Sequence, residues 1–140
     1  MKRFCQIAFI LSFVIFSFQC KNIGKQTLGS DYYLIGEKEN PSSVKVVHGS
    51  HGGFDDVILG EIIDYDTDPY YILVHRKITD KAKVIFEDNP IWQKQLKGTL
   101  TDQYWIIEKN IDAITGPLNY QEYLAKRKQL NISDGVRIRQ

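Results

Sequence analysis

The residues best suited to chemistry in this sequence are its histidines and a nearby group of aspartates. His48 and His51 lie three residues apart in a glycine-rich stretch, and Asp55 and Asp56 follow closely. Imidazole nitrogens and carboxylate oxygens are ligands that Zn²⁺ takes in proteins. His75 could join them only if its strand runs beside this stretch. The pattern indicates either a metal site built on His48, His51 and Asp55, or a polar loop with exposed histidines.

A second acidic pattern resembles the start of a calcium-binding loop. Asp64, Asp66 and Asp68 alternate along the chain. An EF-hand loop needs Gly at its sixth position and Glu at its twelfth. Those positions hold Pro69 and His75. The match fails, so these residues are expected to form a solvated hairpin turn.

No arrangement for nucleophilic catalysis is evident in the sequence. Ser50 precedes His51-Gly52-Gly53, which faintly resembles the oxyanion loop of esterases, but no G-x-S-x-G motif is present. A Ser and a His that are adjacent in one loop cannot adopt the geometry of a catalytic triad. We therefore expect no enzymatic activity, no catalytic residue and no cofactor.

The first twenty residues have the pattern of a secretion signal. Residues 1–3 carry two positive charges, residues 4–18 are mostly apolar, and Gln19 and Cys20 follow. An apolar stretch of about 7–15 residues suits a signal peptide, whereas a membrane-spanning helix needs about 20. Cleavage before Cys20 would remove Cys5 and leave one thiol, which a thioether-linked lipid would occupy. We predict a lipoprotein signal peptide over 1–19 and lipidation at Cys20; a plain secretion signal and an uncleaved anchor are the alternatives.

The length and charge of the chain narrow its class. The 140 residues suit one domain, and 18 Lys plus Arg balance 17 Asp plus Glu. A nucleic-acid-binding protein would carry a clear basic excess, so no nucleic-acid partner is expected. We predict a lipidated tether over 20–27 and a single domain over 28–140. The expected location is the bacterial cell envelope, outside the cytoplasm, on a membrane held through the N-terminal lipid.

The remaining chain contains strand patterns followed by helix signals. Residues rich in β-branched and aromatic types predict strands, and turn residues separate two of them into a hairpin. His48 to Gly53 is expected to be a loop. An Asn cap followed by Pro predicts a short helix over 89–98, and a capping box at Asn119 and Glu122 predicts a helix over 119–130. The predicted strands cover 28–36, 44–47, 57–65, 70–77 and 104–109, and 134–140 is either a last strand or loose. The predicted fold is α+β: a twisted antiparallel sheet of about five strands, a C-terminal helix packed on one face and a short extra helix.

One part of the chain is similar to a known group of proteins. Its features are the Tyr104-Trp105-Ile106-Ile107 strand, the Thr115-Gly116-Pro117-Leu118 turn, and a helix with Tyr120, Tyr123 and Leu124. Over residues 28–132 the chain resembles short bacterial lipoproteins classed as a domain of unknown function. The resemblance implies an envelope-anchored α+β domain and supplies no catalytic residues.

Paired aromatic residues provide the strongest indication of a binding surface. Tyr32-Tyr33, Tyr70-Tyr71 and Tyr104-Trp105 are neighbours, so each pair places one ring on each face of a strand. Outward Tyr and Trp rings are favoured at recognition surfaces, although both rings of a pair can also be buried. We expect a non-catalytic envelope binding or accessory module whose partner is an envelope protein or glycan. The alternative is a metal-binding protein or metal-dependent enzyme that uses the loop with His48 and His51.

Overall fold

The computed structural model describes residues 24–138. The predicted signal peptide over 1–19 and the predicted lipidation site Cys20 lie outside this range. Within it the fold is α+β, as predicted, with eight strands and three helices. The strands are β1 (Lys25–Gly29), β2 (Tyr32–Glu37), β3 (Asn40–Ser50), β4 (Gly53–Leu59), β5 (Glu61–Thr67), β6 (Tyr71–Lys77), β7 (Asp102–Glu108) and β8 (Ala113–Leu118). The helices are α1 (Asp80–Phe86), α2 (Pro90–Lys94) and α3 (Tyr120–Gln129).

The prediction of one sheet of about five strands was wrong. The strands form two four-stranded antiparallel sheets: sheet 1 has the order β1-β2-β3-β4, and sheet 2 has the order β5-β6-β7-β8. The predicted strand over 57–65 is divided at Gly60, where the chain passes from one sheet to the other. Gly60 has a φ of 102°, and a Cβ there would lie 2.7 Å from the Trp92 ring. Glycine is the residue that adopts such a backbone without a steric penalty.

The predicted loop from His48 to Gly53 is also different in the structure. Strand β3 continues through Ser50, and β4 begins at Gly53, so only residues 51 and 52 form the turn. His48 is paired with Asp55 in the ladder. Residues 48–50 are polar or small, so the sequence did not indicate a strand, but their backbone groups pair with those of residues 53–55 in the antiparallel ladder. At the start of the chain, β1 includes residues 25–27, which the sequence assigned to the tether.

Three apolar clusters show how the layers pack. The first lies between the two sheets and includes Val46, Ile58, Val74 and Trp105. The second lies on the other face of sheet 2, beneath α3 and residues 131–138. The third joins the end of β4 to α1 and α2. Sheet 2 is therefore covered on both faces, which explains why the β7 sequence is apolar on both sides.

The capping signals correctly identified where two helices begin. Asn89 caps α2, which ends at Lys94 rather than near residue 98. The capping box at the start of α3 is present, because the Asn119 side chain accepts from the backbone of Glu122 and the Glu122 side chain accepts from the backbone of Asn119. Helix α1 was not predicted. The turn expected at residues 115–118 is instead part of strand β8, and residues 134–138 form no strand. No helix between residues 24 and 138 is long and apolar enough to cross a membrane.

Candidate functional site

Four hairpin turns meet at one end of the molecule, which we call the turn end. The backbone N–H of Gly49 donates to the carbonyl of Asp31 at 2.7 Å, which places the first two turns together. Lys109 Nζ donates to the Asp68 carbonyl at 2.6 Å, which joins the two turns of sheet 2. The turn end comprises residues 30–31, 51–52, 68–70 and 109–112.

A polar cluster connects the two sheets at the turn end. The Tyr32 hydroxyl donates to Asp112 Oδ1 at 3.0 Å, and the His48 ring lies 4.5 Å from the Tyr32 ring. His48 Nε2 is 3.8 Å from the same Asp112 oxygen. Burial, together with the hydrogen bond and charge of Asp112, raises the pKa of Tyr32 to about 12. The cluster therefore keeps Tyr32 protonated and joins β2 and β3 to the turn between β7 and β8.

Asp112 was missed by sequence reasoning. It lies in a turn with a φ of 50°, a conformation that Asp adopts more readily than most residues. The run from Lys109 to Asp112 between two strands would have indicated this turn. No local pattern connects it to His48.

The structure does not bring the proposed metal ligands together as a three-ligand set. His48 contacts Tyr32, His51 is exposed in its turn, and Asp55 lies opposite His48 in the ladder. Within residues 24–138, no group of three or more His, Cys, Asp or Glu side chains is arranged to hold a metal ion.

His75 lies in a different part of the molecule. It is 9% exposed on β6, its Nε2 is 3.0 Å from Asp102 Oδ1, and its ring stacks on Tyr104 at 4.4 Å. Its Nδ1 is buried and has no hydrogen-bond partner in the described part of the chain. The Asp102 contact and the Tyr104 stack fix the ring beneath the surface.

A buried arginine organises the end of the sheets nearest α2. Arg76 is fully buried, and its five N–H donors are matched by the side-chain oxygens of Gln95 and Gln103 and the carbonyls of Leu59 and Gln95. All these acceptors are neutral, and burial lowers the pKa of Arg76. Its guanidinium also lies 5.1 Å from the Trp92 ring. The arrangement is enclosed and satisfied, which is the geometry of a structural group.

Two of the three aromatic pairs divide between the two faces of their strands as predicted, whereas Tyr70 of the third pair lies in the turn before β6. Tyr32 is buried and Tyr33 is partly exposed, whereas Tyr104 lies under α3 and Trp105 faces sheet 1. Tyr70 is 58% exposed at the turn end, and Ile111 beside it is 69% exposed. These two line a small cavity of about 280 Å³ together with Tyr71, Glu108 and Asn110. The turn end thus combines exposed apolar side chains with carboxylates and amides.

Comparison with known proteins gives one match. The family model described as "Protein of unknown function (DUF3997)" matches residues 29–140. No curated protein and no solved structure matches the chain.

Proposed function

The chain belongs to the DUF3997 family of proteins of unknown function, and we propose that it is a lipid-anchored, non-catalytic binding module of a bacterial envelope. In this proposal the lipid is attached to Cys20 after removal of residues 1–19. The partner, an envelope protein or a glycan, binds at the turn end.

The sequence supports the anchor. A positively charged start, an apolar run of signal-peptide length and a cysteine at residue 20 occur in the order that lipoprotein processing needs. The other cysteine, Cys5, lies within the part that cleavage would remove. A lipid on Cys20 would leave the exported protein without a free thiol, which suits an oxidising compartment.

The observation that carries the proposal is the position at which the chain enters sheet 1. Lys25 lies opposite Ile35, close to the turn that follows Glu37 and therefore at the end of sheet 1 away from the turn end. Four residues separate Cys20 from Lys25, and the five extended steps between the two span at most about 17 Å. A lipid on Cys20 would therefore hold that end near the membrane, and the turn end would face away from it.

The side chains at the turn end support binding rather than catalysis. His48 already contacts Tyr32 and lies near Asp112, so the histidine best placed for chemistry serves to join the sheets. Exposed Tyr70 and Ile111 supply the aromatic and aliphatic surface on which recognition commonly depends.

The anchor is tested by mass spectrometry of protein extracted from membranes. We expect an N-terminus at Cys20 that carries a lipid on its thiol and amino group. Cys20→Ser should abolish the lipid-bearing mass and release the protein from the membrane or stop its processing. Cys5→Ser is the matched control and should leave the lipid-bearing mass unchanged. A water-soluble form that starts at another residue would refute the anchor.

The binding surface is tested by capture from the native envelope. Tyr70→Ala combined with Ile111→Ala should remove a captured partner, because both side chains are exposed at the turn end. Val84→Ala is the control, since Val84 is 70% exposed on α1, away from the turn end. A partner that survives the double substitution but is lost with Val84→Ala would place the binding surface on α1 instead. Digestion of the captured material with a protease or a glycosidase distinguishes a protein partner from a glycan.

A further inference from the structure

A cleft separates α3 from the chain segment that follows it. We call it the C-terminal cleft; it lies between α3 and residues 131–138 and has a volume of about 600 Å³. That volume is within the range of about 300–1,000 Å³ that is usual for small-molecule sites. One wall is formed by Tyr120, Tyr123 and Leu124. None of the described residues of the turn end lines it.

Arg127 is held in position inside the cleft. Its Nη1 donates to the Tyr123 hydroxyl at 3.2 Å, and its Nη2 donates to the carbonyls of Ser133 at 3.0 Å and Val136 at 2.8 Å. These bonds use three of the five guanidinium donors and leave Nε–H and one Nη1–H unused within the described residues. A cation fixed in this way loses little rotamer freedom when it binds an anion.

Two further cations line the same cleft. Lys128 and Arg137 have no ion pair with any carboxylate among residues 24–138. The one carboxylate in the lining belongs to Asp134, whose Oδ1 is 4.0 Å from Arg127 Nη2 and whose side chain is fully exposed. Three positive charges therefore face one negative charge across the cleft.

The distribution of charge along the chain emphasises this region. Residues 120–140 contain five basic and two acidic residues, whereas residues 20–119 contain 11 basic and 15 acidic residues. Three of the five basic residues, Arg127, Lys128 and Arg137, line the cleft, while residues 20–119 carry a net negative charge. Such a separation raises the local concentration of anions at the positive region.

We propose that the C-terminal cleft binds a phosphate monoester. The lining has a net charge of about two positive charges, which matches a phosphate dianion better than a single carboxylate. Arg127 and Arg137 supply the planar donors that bind phosphate oxygens, and Lys128 adds a point charge. Tyr120 and Leu124 form an apolar wall for the group that carries the phosphate. The source is either a soluble phosphorylated compound or the headgroup of a lipid.

The experiment is a calorimetric titration of the full chain, purified in a neutral detergent. One probe is glycerol 3-phosphate, and the other is phosphatidic acid in mixed micelles, with phosphatidylcholine micelles as the blank. The test variant combines Lys128→Glu and Arg137→Glu, whose side chains make no ion pair that supports the fold. Its control combines Lys77→Glu and Lys94→Glu, which make the same charge change at exposed positions outside the cleft.

We expect saturable binding of at least one probe to the unsubstituted chain. Its affinity should fall at least tenfold in the cleft variant, because each lost charge-assisted hydrogen bond is worth about a factor of ten. In the control the affinity should stay within twofold of the original value. Binding should also weaken with added salt. Binding of glycerol 3-phosphate identifies a soluble source, and binding of phosphatidic acid alone identifies a lipid source. Absence of binding to both probes, equal binding of acetate, or equal weakening in the control would overturn the proposal. None of these results depends on whether Cys20 carries a lipid, so failure here is distinct from failure of the anchor.

Discussion

The two sheets of this molecule have the same strand number and the same meander order, but they are covered differently. Sheet 2 packs against sheet 1 on one face and against α3 on the other. The outer face of sheet 1 instead carries Tyr33, which is partly exposed, and Phe54, which is 46% exposed. The rings of Tyr33 and Phe54 meet edge to face, with Lys25 Nζ 4.2 Å from the Tyr33 ring centre.

This difference predicts which outer face contributes more to the stability of the fold. Side chains on both faces of sheet 2 contribute burial energy, whereas only one face of sheet 1 does so to the full extent. A substitution on the outer face of sheet 2 should therefore lower the free energy of unfolding more than one on the outer face of sheet 1, even when the latter removes more atoms. The following predictions test this expectation.

The largest effect is expected from Arg76, where the two sheets meet α2. Arg76→Ala would leave a cavity, remove both donors from Gln103 Oε1 and leave Gln95 Oε1 with only the Leu59 N–H as a donor. We expect the free energy of unfolding to fall by about 3–5 kcal/mol. Urea denaturation followed by circular dichroism measures this. Lys77→Ala is the control, because Lys77 directly follows Arg76 in the chain but is exposed. A similar loss of unfolding free energy in the two variants would contradict the buried network around Arg76.

The direct comparison of the two outer faces uses one residue from each sheet. Leu73 is fully buried on the α3 side of sheet 2, whereas Phe54 lies half exposed on sheet 1. We expect Leu73→Ala to lower the free energy of unfolding by about 2–5 kcal/mol and Phe54→Ala by about 1 kcal/mol or less. The same denaturation series gives both values. Equal losses would mean that the outer face of sheet 1 is a second core face.

The attachment of α3 can be weakened without touching the apolar core. Asn119→Ala removes the cap that accepts the Glu122 backbone N–H at 2.9 Å. We expect a loss of about 1 kcal/mol in unfolding free energy, since this is typical for an N-cap residue. Gln121→Ala, at an exposed position one residue into the helix, should change the value by less than about 0.5 kcal/mol. If Asn119→Ala and Gln121→Ala have the same unfolding free energy, the capping box does not stabilise the packing of α3 on sheet 2.

The smallest effect is expected on the pH dependence of stability at alkaline pH, through Tyr32, which lies at the contact between the two sheets. The pKa of Tyr32 is about 12 in the folded protein, against about 10 for an exposed tyrosine. Between these values the folded state binds the extra proton, so its stability is complete below pH 10 and falls as the pH rises toward 12. Tyr32→Phe should show a shallower decline in thermal midpoint between pH 9 and pH 11. An unchanged slope would contradict the raised pKa.

Sequence reasoning succeeded where local chemistry decides the structure. Asn119 with Glu122, and Asn89 with Pro90, identified two helix starts, and the run of aromatic and β-branched residues over 104–109 identified the strand that became β7. The division into two sheets was missed because Gly60 interrupts a continuous run of strand-forming residues, and one glycine does not indicate by itself that the chain changes sheet. The partners of His48 and His75 were missed for another reason. Asp112 and Asp102 lie on distant parts of the chain, and only the folded arrangement brings them near the histidines.

The one-residue junction at Gly60 also has a consequence for the order of folding. Every ladder in both sheets joins strands that are consecutive along the chain, and the longest excursion between paired strands is residues 78–101, which contains α1 and α2. Short connections cost little chain entropy to close, and topologies rich in local contacts fold quickly. Each sheet can therefore form its hydrogen bonds from neighbouring segments of the chain. Its inner apolar face remains exposed to water until the other sheet packs against it. Cooperative unfolding of the whole domain follows, because separating the sheets at Gly60 exposes the shared core of both at once.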